Sequence, residues 1–235
     1  MKLTMSQTSP LPLWEPVTLA QQRFQLLNLD HPEVGSQIWR DLDAGVRVVY
    51  DRRWDVTTRF CRFLLTQPQW ITERSVLILG AGVGLETLVI GRLCRRLYIN
   101  DLAPRALELC TQQLQQNGIR HFTCLPGRFE TLPLPPVDLI VGCYLVYNRD
   151  TAAAMRQFLE RCPQQVLLTN DNLLNWQQLL RDTRRPYRTL QLPEELPCVV
   201  FDARPPAALP PRPEARSSRA WSRPLAAWRR PRDSA

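Results

Sequence analysis

The sequence predicts an α/β protein: an open, mostly parallel seven-stranded sheet with a terminal antiparallel hairpin and helices on both faces. Three observations lead there. From residue 75 onward short apolar runs alternate with stretches of helical period, as in strands joined by crossover helices. The first run, residues 76–79, leads directly into Gly80-Ala81-Gly82-Val83-Gly84 and then a helical pattern, the strand, glycine loop and helix of an open parallel sheet. The last two runs, 187–192 and 198–203, are too close in sequence for a crossover helix and should pair antiparallel.

The elements follow in order. Ahead of the sheet, residues 19–27 and 34–42 read as short helices, 46–50 as a strand of its own, and 56–65 as a helix with Phe60, Phe63 and Leu64 inward. Residues 1–70 are thus expected to form a helical layer over the mouth of the sheet. After the glycines, Leu85, Leu88, Val89 and Leu93 recur at helical spacing, and residues 97–100 form the second strand. Pro104 suits the first turn of a helix whose face carries Leu107, Cys110 and Leu114. Asn117-Gly118 ends it. Residues 122–125 and 137–142 are the next strands. Asp150 is expected to cap a helix bearing Met155, Phe158 and Leu159 that stops before Pro163. Residues 166–169 give the fifth strand, and Asp171 is expected to cap a helix with Leu173, Trp176 and Leu180 on its apolar face.

Composition narrows the class. The chain has 235 residues, 44% of them hydrophobic, ample for one core. No run of eighteen apolar residues occurs, which argues against a membrane-spanning helix. The first residues are polar and proline-punctuated rather than an apolar signal segment. Of the 30 basic residues all but Lys2 are arginine. Eight arginines fall after residue 203, against Glu214 and Asp233 only, so most of the net charge of +8 belongs to residues 204–235 and the body is nearly neutral. With seven prolines and no period, that tail reads as disordered. Its arginines and tryptophans are the one place suited to nucleic acid. The 7 cysteines contain no CxxC pair, so neither a zinc knuckle nor a disulfide framework is expected, and a reduced, cytoplasmic setting fits.

The glycine loop discriminates between cofactors. A dinucleotide fingerprint needs GxGxxG, which would require glycine where Leu85 stands; the pattern present is GxGxG. Asp101 closes the second strand, and a carboxylate about 20 residues beyond the loop can accept hydrogen bonds from ribose hydroxyls. Strand, glycines, helix, strand and terminal acid together point to an adenosine-containing cofactor.

On these residues the sequence resembles the class I, Rossmann-like methyltransferases that use S-adenosyl-L-methionine. It is most similar to their small protein-lysine methyltransferase branch, with its nicotinamide methyltransferase-like relatives. Residues 76–85 are similar to the first family motif, Asn100-Asp101 to the acid after it, residues 138–147 to the fourth-strand segment, and Trp54-Asp55 with Phe63-Leu64 to the tryptophan-led helix before the first strand. The resemblance covers roughly residues 45–203 and implies a methyltransferase core over 71–203. It implies that Gly80, Ala81, Gly82 and Gly84 wrap the methionine end of the cofactor and that Asp101 holds the ribose. Arg128 and Phe129 would lie beside adenine, Trp54 would close over the cofactor, and Cys143 would line the floor near the methyl. Two positions depart from the family pattern: Ile78 and Tyr144 each stand where it usually has an acid. By the resemblance, the first departure weakens cofactor binding or moves that duty elsewhere, with Glu86 a candidate; the second removes the carboxylate that would orient a cationic lysine.

Methyl transfer is an in-line displacement that needs proximity and alignment more than a strong base. Tyr144 and Tyr147 are the expected walls of the acceptor pocket. His31 and His121 are the only histidines, and neither GxSxG nor GxxxxGK[ST] occurs, which excludes a serine triad, a histidine metal cluster and a phosphate loop. Asn170-Asp171-Asn172 faces the same rim and reads as helix capping. The resulting expectation is a methyltransferase acting on a protein side chain, lysine-type. A small-molecule amine is the alternative acceptor, and a cofactor-binding scaffold without catalysis is the alternative class.

Overall fold

Strands covered on both faces are near-continuous apolar runs, and the two at the centre of the sheet follow this, Ser75 at the start of one being the single polar side chain. In the computed structural model, which describes residues 11–171, 173–192 and 195–204, β3 (Ser75–Leu79) and β6 (Leu139–Cys143) are buried at every position. Two further strands precede them, β1 (Trp14–Leu19) and β2 (Gln22–Leu27), and the remainder are β4 (Arg96–Asp101), β5 (Phe122–Pro126), β7 (Gln165–Thr169), β8 (Arg188–Leu190) and β9 (Cys198–Phe201). The helices are α1 (Pro32–Asp43), α2 (Asp55–Thr66), α3 (Leu85–Leu93), α4 (Pro104–Gln116), α5 (Arg149–Arg161) and α6 (Leu174–Asp182). β3 to β9 form one seven-stranded sheet in the order β5-β4-β3-β6-β7-β9-β8. β9 runs antiparallel to both its neighbours, and the other pairings are parallel. This is the expected fold class, hairpin included.

The period of two along each strand sorts the core into two layers. Val76 and Ile78 of β3 face α2 and α3, packing with Phe60, Leu64, Leu88 and Val89. Leu77 and Leu79 face the opposite side, with Met155, Phe158 and Leu159 of α5 and Trp176 and Leu179 of α6. A smaller cluster joins Val34 and Ile38 of α1, Leu27 of β2, and Ala106 and Leu109 of α4.

The N-terminal layer departs from expectation. The helix expected over 19–27 is a β-hairpin, β1 and β2 pairing antiparallel from Trp14↔Leu27 to Leu19↔Gln22. Its two-residue turn places Ala20 and Gln21 at φ 44° and 65°, the left-handed geometry that matches strand twist. The free edge of β2 is satisfied by α4: the Gln25 amide donates to Asn117 Oδ1 and the Leu27 amide to Gln113 Oε1. Residues 46–50 form no strand; the Tyr50 hydroxyl donates to Asp41 Oδ2 of α1 at 2.6 Å. α5 is capped by Asn148 rather than Asp150, in a reciprocal arrangement with Thr151. α6 has Leu173 at its N-cap and no side-chain cap; Asp171 instead pairs with Arg59 of α2 at 3.4 Å. Residues 205–235 of the tail expected to be disordered, and Asn172, lie outside the described residues; Arg204, at the start of that tail, is described. No helix among those described is long and apolar enough to cross a membrane.

Candidate active site

The sheet order fixes where a ligand can sit. β3 and β6 are parallel neighbours, yet the chain leaves them toward opposite edges, so the loops at their carboxyl ends diverge and leave a cleft. The first wall is the loop at residues 80–84. Gly80 and Gly82 hold φ of 56° and 51°, a region glycine enters without a Cβ penalty. A Cβ at Gly80 would also overlap Leu145 in the facing loop. Gly84 has an ordinary φ of −79°; its missing Cβ leaves space filled by the Glu86 carboxylate. Asp101, at the end of β4, accepts from the Gly82 amide through Oδ2 and from the Ala103 amide through Oδ1, both at 2.8 Å. It therefore braces the glycine loop as well as facing the cleft. Burial raises its pKa, and the two amides oppose that rise.

The second wall is the loop after β6. Tyr144 sits at φ 55°, a strained value for a residue with a large side chain. What holds it is Asn170 at the end of β7, fully buried. Its Oδ1 accepts from the Val146 amide at 3.0 Å and its Nδ2 donates to the Val146 carbonyl at 3.2 Å. The capping role expected for Asn170 is thus replaced by a clamp on the loop that carries both tyrosines.

The N-terminal segment closes the third side. Trp54 stacks on Tyr144, ring centroids 4.3 Å apart, and its indole N–H donates to the Val49 carbonyl. Arg52 lies over Trp54 at 5.5 Å and Arg47 over Tyr147 at 5.1 Å, so each aromatic wall carries a cation on its face. Thr57 of α2 meets Cys143 across the floor, Oγ1 to Sγ 3.5 Å. The Cys143 thiol is pushed well up, first by burial and then by Glu86, which leaves it a small neutral group rather than a nucleophile. On the far side Arg128 pairs with Glu130, and Phe129 meets Phe158 edge-on at 5.9 Å.

The cleft between these walls is about 530 Å³. The residues singled out from the sequence, Trp54, Gly80, Ala81, Gly82, Gly84, Asp101, Arg128, Phe129, Cys143, Tyr144 and Tyr147, all line it. So do Tyr50, Thr57 and Glu86, the first two of which no sequence signal marks; Asn170 acts from behind. Ile78 is fully buried in the core and contributes nothing to the wall. Among the described residues no cluster of His, Cys, Asp and Glu is placed to hold a metal. The wall fits a nucleoside cofactor with a charged amino-acid end: a glycine cradle, the Asp101 carboxylate at the end of β4, aromatic surfaces, and one buried carboxyl oxygen, Glu86 Oε2, without a partner.

A family model described as a methyltransferase domain matches residues 77–165. Over 153 residues the chain is 33% identical to the protein N-lysine methyltransferase METTL21A of Danio rerio, covering 61% of this chain and 62% of that one. Over 120 residues it is 28% identical to the histone-arginine methyltransferase METTL23 of Xenopus laevis, covering 44% and 51%. The chain thus spans between half and two thirds of these relatives' length. In fold it is similar to the T. thermophilus 16S rRNA N2 G1207 methyltransferase solved with AdoMet and guanosine, TM-score 0.58 at 18% identity, covering 85% of this chain and 53% of that one. Sheet order and glycine loop agree with these likenesses: residues 77–165 match a methyltransferase domain, and the fold is that of the methyltransferase solved with AdoMet.

Proposed function

We propose that this chain transfers the methyl group of S-adenosylmethionine to a nitrogen of a protein side chain, of the lysine type. The observation that supports it most is the continuity of one cavity from Asp101 and the glycine loop to an aromatic mouth formed by Trp54, Tyr144 and Tyr147. When bound, the cofactor supplies a methyl on a positively charged sulfur, so the protein's task is alignment and exclusion of water. Gly80, Ala81, Gly82 and Gly84 line the amino-acid end, Asp101 accepts from the ribose hydroxyls, and Arg128 and Phe129 border the adenine. Trp54 closes from the N-terminal segment and Cys143 forms the floor. Tyr144 and Tyr147 wall the acceptor path. Burial pushes both hydroxyls up, so they stay protonated and can hold an amine by hydrogen bond or ring face. The amine loses its proton to solvent, helped by apolar surroundings that lower its pKa.

The names of the relatives, a protein-lysine and a histone-arginine methyltransferase, favour a protein acceptor over a small amine. A cytoplasmic setting accords with seven free cysteines, six of them buried. The same reading takes residues 71–203 as the catalytic core, the layer over 1–70 as its cover, and 204–235 as an appended Pro/Arg-rich segment.

The test is calorimetry with S-adenosylmethionine followed by transfer of labelled methyl into lysate protein. Asp101→Asn should weaken cofactor binding roughly tenfold or more. Tyr147→Ala should abolish labelling while cofactor affinity changes by less than about threefold. Wild-type protein that binds the cofactor but labels only small amines would replace the protein acceptor with a small molecule.

A further inference from the structure

One carboxylate of the cavity is buried without a counter-charge. Glu86 lies in the first turn of α3, 4% exposed, and its Oε2 has neither a hydrogen-bond partner nor contact with solvent. Among the described residues no other buried carboxylate has such an oxygen; Asp41 receives the Tyr50 hydroxyl and Glu130 receives Arg128. The titratable groups that face Glu86 are thiols: Cys61 on α2, Cys110 on α4 and Cys143 on β6. Burial pushes all three up, so they are neutral and give no cation. The space the carboxylate occupies exists because position 84 has no Cβ; one there would overlap both carboxyl oxygens. A packing role alone does not account for this arrangement. Leaving a carboxylate buried and unpaired is costly, and an apolar side chain would avoid that cost.

The cofactor brings the missing charge. S-adenosylmethionine carries an ammonium on its amino-acid end, and Glu86 lines the wall of the cavity built to take it. We propose that Glu86 is the anionic anchor for that ammonium, supplied from helix α3, and that cofactor uptake expels a proton from its carboxyl group to solvent. This rests on the cofactor assignment above and deepens it. Without ligand, burial raises the Glu86 pKa to about 7, so near neutral pH the group is partly protonated. An arriving cation favours the carboxylate and lowers that pKa again. Affinity should therefore rise with pH up to about 7 and level off above it.

The experiment is calorimetry on the full chain at pH 6 and pH 8, in two buffers of different ionisation enthalpy. Three ligands are titrated: S-adenosylmethionine, S-adenosylhomocysteine, and methylthioadenosine, which keeps the nucleoside and lacks the amino-acid end. The expected result for wild type is release of close to one proton with the first two ligands at pH 6, and close to none at pH 8. Glu86→Gln should weaken the first two roughly tenfold or more at pH 8, abolish the proton release, and leave methylthioadenosine unchanged. Equal weakening of all three ligands would make Glu86 a support of the glycine loop and overturn the proposal. Weakening of S-adenosylmethionine alone would assign the carboxylate to the sulfonium and overturn it too. Wild type that binds the first two without releasing a proton at pH 6 would overturn it whatever the variant does. Failure of wild type to bind any of the three would remove the cofactor assignment, and this proposal with it.

Discussion

Glu86 and Ile78 divide the charge question at the scale of single residues. A carboxyl whose folded pKa lies above its unfolded value stabilises the fold fully below the unfolded value and loses that contribution as pH rises through the folded one. For Glu86 the window runs from the ordinary carboxylate value of 4.5 to about 7, so the unliganded protein should become less stable between pH 5 and pH 8. Asp101, also raised by burial, acts in the same sense. Glu86→Gln should then stabilise the protein at pH 8 by about 2–3 kcal/mol and change little at pH 5, as urea unfolding at the two pH values will show. Ile78 has the opposite outlook. It is fully buried between Ile99 of β4 and Val141 of β6, so Ile78→Glu would put a charge into packed hydrocarbon. That should cost roughly 3 kcal/mol or more rather than restore a function, and a lower melting temperature without tighter cofactor binding would show it.

At the scale of elements, the two loops that make the site are held by side chains distant in sequence. Asn170 fills both hydrogen-bonding groups of Val146. Asn170→Ala should cost about 1–3 kcal/mol and release Tyr144 from its left-handed conformation. Methyl transfer should then fall by more than cofactor affinity does, a comparison of kcat with the calorimetric Kd. The β1–β2 turn offers a gain instead. Ala20 and Gln21 both sit at positive φ, so Gln21→Gly should stabilise the hairpin by about 0.5–1 kcal/mol, read as a raised melting temperature. The turn also explains why the hairpin was not legible. Ala-Gln lacks the Asn-Gly signal of a two-residue turn. The doublet Leu26-Leu27 blurs an alternation that Phe24 and Leu26 otherwise show, and the partners of β2 come from α4, ninety residues away in effect.

For the whole molecule, the seven-stranded sheet was readable because buried parallel strands are short apolar runs; β3 runs into Gly80, β4 ends on Asp101 and β7 runs into Asn170. The cavity lining was readable where a local motif carries it, as at residues 80–84 and Asp101. It was not readable where the wall is assembled by tertiary contact. Tyr50 lines the cavity with its hydroxyl held by Asp41 of α1, and Asn170 acts through the backbone of another loop. The described body also closes on itself at Arg204, whose amide donates to the Pro163 carbonyl and whose guanidinium donates to the carbonyls of Glu160 and Leu159. Ending the chain after Arg204 should therefore leave both melting temperature and cofactor affinity unchanged. Six of the seven free thiols are buried, Cys124 being only partly so. Each buried thiol can be alkylated only when its surroundings open, so the molecule contains six such clocks. Cys143 lines the cavity and Cys61 lies behind it, facing Glu86, and the labelling rates at those two, with and without ligand, time how often the cavity walls part.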